Sequence, residues 1–394
     1  VSVFAETPRA PRDPILGLTE QFVADPRTEK VNLGVGVYQD ANGKVPILDC
    51  VRTVDAQLAA GGKPYGYLPI DGLPAYDAAV KELVFGAADH DRIAVVQSLG
   101  GTGALKVAAD FLKQTTPDAT VLISAPSWEN HRAIFARAGL TVAEYPYYDA
   151  EHRRVDVDSM INTLRAAAPG SVVVLHACCH NPTGYDLTAD DWQRVVDAVA
   201  ERGLVPLLDM AYQGFAQSLT EDGAAVRRFV DAGLVTLVTT SFSKTFSLYG
   251  ERIGALGVVC ADADEAGRVL SQLKIIVRTT YSNPPTHGAA IVASVLTDPA
   301  LRTQWESELA GMRDRIKQMR SALVDGLAAA GVTGQDHITR QNGMFSYSGL
   351  SKDQMITLRD DHAVYGLDSG RLCVAAINPG NLDRVISAIA AVAG

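Results

Sequence analysis

Between about residue 93 and residue 260 the chain repeats one pattern. A short apolar run is followed by a break of glycine or polar residues, then by a longer stretch with apolar residues at helical spacing. The runs are IAVV (93–96), TVLIS (120–124), SVVVLHA (171–177), LVPLLD (204–209), LVTLVTTSF (234–242) and GALGVVC (254–260). Continuous apolar runs suit strands covered on both faces, whereas a sheet with one wet face would alternate. The intervening stretches at 103–113 and 189–202 carry the helical period and would supply crossovers and covering layers. The pattern predicts an α/β fold with a mostly parallel sheet.

After about residue 300 the character changes. A long charged helical pattern at 300–330 leads into the strand-like FSYSGL and LCVAA. A smaller α+β domain is expected there, joined by the segment before residue 45. The expected organisation is therefore an N-terminal arm and part of the small domain at 1–44, a large domain at 45–305, and a small C-terminal domain at 306–394. No internal repeat or low-complexity tract is visible.

Composition narrows the function. A formal net charge of -10 argues against a groove that tracks nucleic-acid phosphates. No apolar stretch reaches the ~18–20 residues that span a bilayer, and the start does not read as a signal peptide, so a cytoplasmic location is expected. The five cysteines are odd in number and form no C-x-x-C pair, which supports buried free thiols rather than disulfides or zinc.

In an α/β sheet ligands gather at the carboxyl ends of the strands, so the residues after each run matter most. The first run leads to Gly100-Gly101-Thr102-Gly103 and a helix, where backbone N–H groups can meet an anion. The spacing is neither a dinucleotide fingerprint nor a P-loop. The third run ends in His176, Cys178, Cys179, His180 and then Asn181-Pro182-Thr183-Gly184, which is also ordinary turn chemistry. His176 and His180 lie four apart, but the proline that follows argues against a metal-binding helix face, and no metal is expected.

The fourth run ends on Asp209, a carboxylate that is costly to bury without a cation. An arginine would serve, and so would a protonated ring nitrogen. The fifth run ends in Ser241-Phe242-Ser243-Lys244, with Arg252 shortly after. Hydroxyls, a guanidinium and an amine at one strand end suit a phosphate beside a nucleophile. An anion loop, a buried acid and such a lysine together match the needs of pyridoxal 5′-phosphate: phosphate ligands, a lysine for its aldehyde and an acid for its pyridine nitrogen.

These stretches resemble the class I, fold type I, aspartate and aromatic-amino-acid aminotransferases over essentially the full length. The resemblance rests on DPILGL (13–18), KVNLGVGVY (30–38), GGTGALKVAADFL (100–112), PSWENH (126–131), HACCHNPTG (176–184), LDMAYQGF (208–215), SFSKTFSLYGERIG (241–254), YSNPPTHGA (281–289), NGMFSYSGL (342–350) and SGRLCVAA (369–376). It implies that Lys244 is the Schiff-base lysine and proton-transfer base. It also implies that Asp209 partners the pyridine nitrogen and that Asn181 and Tyr212 partner the ring's phenolic oxygen. Trp128 would stack on the ring, with His131 and His176 behind. Gly101, Thr102, Ser241, Ser243 and Arg252 would hold the phosphate, together with Tyr67 from a second subunit of an obligate homodimer. Arg371 would grip the substrate α-carboxylate, Arg278 from across the dimer a distal carboxylate, and Gly36 would lie near the substrate.

Within the family YGYLPIDGL, SFSKTFSLYGERIG and SGRLCVAA look like the aromatic branch, while Thr102 and Asn283 resemble the aspartate branch. The implied activity is ping-pong transamination through pyridoxamine phosphate, from an aromatic amino acid or from aspartate or glutamate to an oxo acid such as 2-oxoglutarate. A strict aspartate aminotransferase is the near alternative. Another pyridoxal-phosphate reaction, such as decarboxylation or β-elimination, would use the same scaffold without a 2-oxo acid. An NAD(P)-dependent dehydrogenase or a non-catalytic dicarboxylate-binding module are the readings from other classes. The former lacks its fingerprint, and no G-x-S-x-G elbow supports a hydrolase.

Overall fold

The computed structural model describes residues 2–11, 13, 15–62 and 64–393. Val1, Arg12, Pro14, Lys63 and Gly394, which include parts of the expected arm and of the DPILGL stretch, lie outside the described residues.

Seven strands form the central sheet: β1 (Ile93–Leu99), β2 (Thr120–Ala125), β3 (Thr141–Pro146), β4 (Val172–His176), β5 (Val205–Met210), β6 (Thr236–Ser241) and β7 (Ile253–Val259). Their spatial order is β1-β7-β6-β5-β4-β2-β3. All neighbours are parallel except β7, which runs antiparallel to both β1 and β6. The six expected runs each become a strand. Alternate residues of a strand serve opposite faces: Ala94 and Val96 join one buried cluster, Ile93 and Val95 the other. Both faces are apolar because helices cover both, which is why the runs read as continuous.

β3 escaped the sequence reading. It is an edge strand with only Tyr145 fully buried and Thr141, Glu144 and Pro146 exposed, so it carries no continuous apolar run. β7 is as apolar as the parallel strands of the sheet, because a central strand is buried on both faces whatever its direction.

On one face lie α1 (Gly100–Thr115), α2 (Glu129–Arg137) and α4 (Ala263–Thr280). On the other lies α3 (Ala189–Arg202), started by a Thr188–Asp191 capping box and stopped at Gly203 with φ +61°. α5 (Pro299–Ala329) is a single helix of 31 residues. Near its start Trp305 stacks on Phe246, with centroids 4.5 Å apart, and its Nε1 donates to Thr245 O. Farther along, buried Arg320 donates to the carbonyls of Ile338, Gly343 and Phe345. The expected boundary at 305/306 therefore falls inside a continuous helix that packs on both regions.

The smaller region is built as two short pairs. Val31–Asn32 runs parallel to Val364–Tyr365, which ties the N-terminal segment to the C-terminal one, and Phe345–Tyr347 runs antiparallel to Arg371–Cys373. FSYSGL and LCVAA each contribute a strand, as their apolar character suggests. All five cysteines are buried and free. No helix among the described residues is long and apolar enough to cross a membrane.

Candidate active site

A cavity of about 170 Å³ opens where the carboxyl ends of the parallel strands meet the smaller region. Register brings its acid into place: His176 on β4 pairs with Asp209 on β5, which pairs with Thr239 on β6. The Asp209 side chain is only 11% exposed and both of its oxygens are engaged. Thr239 Oγ1 donates to Oδ1 at 2.9 Å, and His131 Nε2 lies 2.9 Å from Oδ2.

Behind His131 the contacts continue. Its Nδ1 is 2.9 Å from Ser127 Oγ, Ser127 Oγ is 3.3 Å from His176 Nε2, and Asn181 N donates to His176 Nδ1 at 3.2 Å. The backbone donor at Asn181 requires an acceptor at His176 Nδ1, so the proton of a neutral His176 sits on Nε2. Burial, with His180 and His131 nearby, holds His176 well below the usual histidine range and so neutral. The chain of donors then runs in one sense, from Asn181 through His176, Ser127 and His131 to the Asp209 carboxylate. Burial alone would raise the Asp209 carboxyl, but the His131 contact, His176 and the Thr239 hydroxyl outweigh it and hold it below the ordinary value.

At the next strand end stand Ser241, Ser243 and Lys244. Burial pulls the Lys244 amine down to about 8, with Arg252 adding to the shift and Asp209 opposing it. Its Nζ lies 5.1 Å from the centre of the Tyr212 ring. Burial also pushes the Tyr212 phenol far above its usual range, so it remains a hydroxyl.

Across from the amine, α1 begins at Gly100 without a side-chain cap, which leaves its first-turn N–H groups unpaired by the chain. Gly101 and Thr102 of that turn line the cavity with Ser241, Ser243 and Arg252. Arg252 Nη1 donates to Ser243 Oγ at 3.2 Å. Gly100 has φ +67°, and a Cβ there would sit 2.5 Å from Arg252 Nη2. Only glycine allows this approach of guanidinium to helix start.

The smaller region contributes Gly36, Phe345 and Arg371. Arg371 is 1% exposed, and its Nη1 donates to Asn181 Oδ1 and its Nη2 to Gly34 O. Its Cζ lies 4.1 Å from the centre of the Phe345 ring. Its Nε is buried without a partner among the described residues. A buried guanidinium with a spare donor is a ready carboxylate receptor.

Thirteen of the residues singled out from the sequence line this one cavity: Gly36, Gly101, Thr102, Trp128, His176, Asn181, Asp209, Tyr212, Ser241, Ser243, Lys244, Arg252 and Arg371. Tyr67 and Arg278 do not. Tyr67 is 93% exposed, and Arg278 points outward from the end of α4, donating to Ser282 Oγ.

Sequence reasoning gave no role to Ile15, Leu105, Cys178, Ala211 or Phe345, which also line the cavity, nor to Ser127 and Thr239. All but Thr239 stand inside quoted motifs, so the signal was present without a function attached. Thr239 sits within LVTLVTT, and only register singles it out from its neighbours.

The arrangement fits pyridoxal phosphate. Uncapped helix N–H groups, two hydroxyls and Arg252 form an anion cup, and a buried carboxylate and an amine of lowered basicity line the same cavity.

Comparison with known proteins agrees. The family described as "Aminotransferase class I and II" matches residues 28–389. The chain is 52% identical to an aspartate aminotransferase of Pseudomonas aeruginosa, over 99% of each chain. It is 49% identical to an aromatic-amino-acid aminotransferase of Escherichia coli, over 96% of this chain and 97% of the other. A crystal structure of an aromatic-amino-acid aminotransferase from Burkholderia pseudomallei, covalently bound to pyridoxal phosphate, superposes with a TM-score of 0.97 at 55% identity over 100% of both chains.

Proposed function

From the premise that this chain belongs to the class I and II aminotransferases, we propose that it takes amino groups from aromatic L-amino acids and from aspartate or glutamate and passes them to oxo acids such as 2-oxoglutarate. It is a pyridoxal-phosphate-dependent transaminase of fold type I. The observation that carries the proposal is the convergence of Lys244, Asp209 and Arg371 on one cavity from three separate elements.

Gly101, Thr102, Ser241, Ser243 and Arg252 would hold the cofactor's phosphate, and the Asp209 carboxylate would keep its ring nitrogen protonated. When bound, the cofactor supplies an electrophilic carbonyl carbon and a cationic ring that draws electrons from the substrate Cα. Trp128 would cover the ring, while Asn181 and Tyr212 would donate to its phenolic oxygen. Arg371 fixes the substrate α-carboxylate, with Gly36 close by, which sets the Cα hydrogen within reach of Lys244. Lowered to about 8, the lysine keeps roughly a tenth to a fifth of its amine neutral near pH 7, far more than an ordinary lysine does, so Nζ can take the Cα proton and return it to a neighbouring carbon. The same groups serve the reverse sequence with the second oxo acid, which makes the kinetics ping-pong.

Dual substrate choice is supported by the cavity wall. Ile15, Leu105, Trp128 and Phe345 offer apolar surface to an aromatic side chain. The relatives carry both aspartate and aromatic names. A distal carboxylate needs a second cation, and we assign it to Arg278 of a partner subunit, with Tyr67 of that subunit reaching the phosphate. Exposed Val3, Phe4, Tyr65, Tyr67 and Ile275 support burial in a homodimer. A cytoplasmic location accords with this metabolic role.

The test is Arg278→Leu. Its kcat/KM for L-aspartate should fall at least about 100-fold, the cost of an unpaired buried carboxylate, while that for L-phenylalanine stays within about threefold. Equal losses for both substrates would remove Arg278 from the distal site.

A further inference from the structure

β1 is an edge strand, and the backbone groups on its outer side at Gln97 are not left to solvent. Gln97 N donates to Asp71 O at 2.7 Å, and Gln97 O accepts from Tyr281 OH at 3.0 Å. Its side chain, wholly buried, spans the same two segments. Oε1 accepts from Leu73 N at 3.1 Å, and Nε2 donates to Pro285 O at 2.7 Å. One residue thus makes four hydrogen bonds, two to residues 71–73 and two to residues 281–285.

The surroundings are fitted to it. Gly72 has φ +127°, and a Cβ there would lie 2.5 Å from Gln97 Cβ, so the 64–73 loop can press on the strand only through glycine. Asn283 Nδ2 donates to Leu68 O at 2.7 Å, and Lys274 pairs with Asp71 at 3.0 Å, so the two segments are also tied to each other. The first carries Tyr67 and the second follows on Arg278. Neither residue lines the chain's own cavity, while Gln97 stands three residues before the start of the anion cup at Gly100.

We propose that Gln97 is a positioning residue that fixes the Tyr67 loop and the Arg278–Pro285 segment as one unit, and so sets how both are presented to a partner subunit's site. A buried amide can replace two separate anchors because it holds a donor group and an acceptor group at a fixed spacing. This rests on the reading above that Tyr67 and Arg278 serve the partner's cavity. Their roles differ, one toward the cofactor phosphate and one toward the distal carboxylate, so loosening the shared anchor should disturb both. The chemistry at Lys244 should stay intact.

The experiment uses the holoenzyme with Gln97→Met, which keeps the volume and removes both side-chain bonds, and Asn283→Ala, which cuts the same assembly from its half-buried outer side. Amide hydrogen exchange should rise in residues 64–73 and 281–285 with β5 and β6 unchanged. Cofactor release on dilution should quicken by about fivefold, and KM for L-aspartate should rise about tenfold with kcat for L-phenylalanine within about twofold. Asn283→Ala should shift each quantity in the same direction by less. Unchanged exchange in the two segments, or exchange rising across the whole sheet, would overturn the proposal, since the second is what a purely structural role gives. If Arg278→Leu itself shows no bias between substrates, the assignment of the distal site fails, while exchange and cofactor release still decide the role of Gln97.

Discussion

Replacing Lys244 by methionine should stabilise the apo-protein while abolishing turnover. Burial holds the amine at about 8, against an ordinary value of 10.5. That gap of about 2.5 units corresponds to about 3 kcal/mol at roughly 1.36 kcal/mol per unit. The amine opens on a cavity that admits water, so about 2 kcal/mol is the expected effect in solution. Below pH 8 native and unfolded chains both carry the proton, and the native state bears the whole cost of a buried charge. Between pH 8 and 10.5 only the unfolded chain still binds the proton, so native stability rises with pH. Methionine removes this dependence. Urea unfolding of both apo-proteins at one protein concentration should favour the variant by about 2 kcal/mol near pH 7, with the advantage shrinking to nothing near pH 10.5. A difference that does not change with pH, or a variant less stable at pH 7, would refute the claim that desolvation sets the basicity of this amine.

Arg371→Lys should lower kcat/KM for aspartate and phenylalanine alike by about 100-fold or more. An ammonium cannot reach Asn181, Gly34 and a carboxylate at once, and steady-state rates would check it. Gly36→Ala would bring a Cβ to 2.5 Å from Phe345 Cζ, so KM should rise severalfold. Phe345→Leu in the same chain should restore part of the loss if the clash is the cause. Thr239→Val removes a donor to the Asp209 carboxylate, a bond worth about 1.5–3 kcal/mol. The Asp209 pKa should rise, and the variant should release its cofactor faster in a dilution assay at neutral pH.

Much of this fold is legible from runs of apolar residues, because a sheet covered on both faces leaves no polar position to interrupt them. β3 is the exception that follows from the same physics: this edge is left partly open to solvent, and Glu144 and Pro146 mark it, whereas β1 at the other edge is covered and stays apolar. The antiparallel sense of β7 was not legible, since burial on two faces writes the same apolar string in either direction. At the site, the strand-end residues Asp209, Ser241 and Lys244 could be placed from chemistry alone. Their supports could not. Thr239 looks like any β-branched residue of a central strand, and only its pairing opposite Asp209 singles it out. Gln97 carries no motif of its own, because its partners are backbone groups far along the chain.

The long helix α5 has a mechanical consequence. Its start is clamped at Trp305, and 15 residues on, Arg320 grips the carbonyls that shape the strand beside Arg371. At about 1.5 Å per residue the two grips are roughly 22 Å apart on one stiff rod. A rotation of about 5° at the first grip sweeps the second through about 2 Å by that lever arm. The Phe345 strand travels with it, and Arg371 is paired to that strand. Torque applied at the sheet is thereby delivered to the guanidinium as displacement, with the helix acting as the transmission.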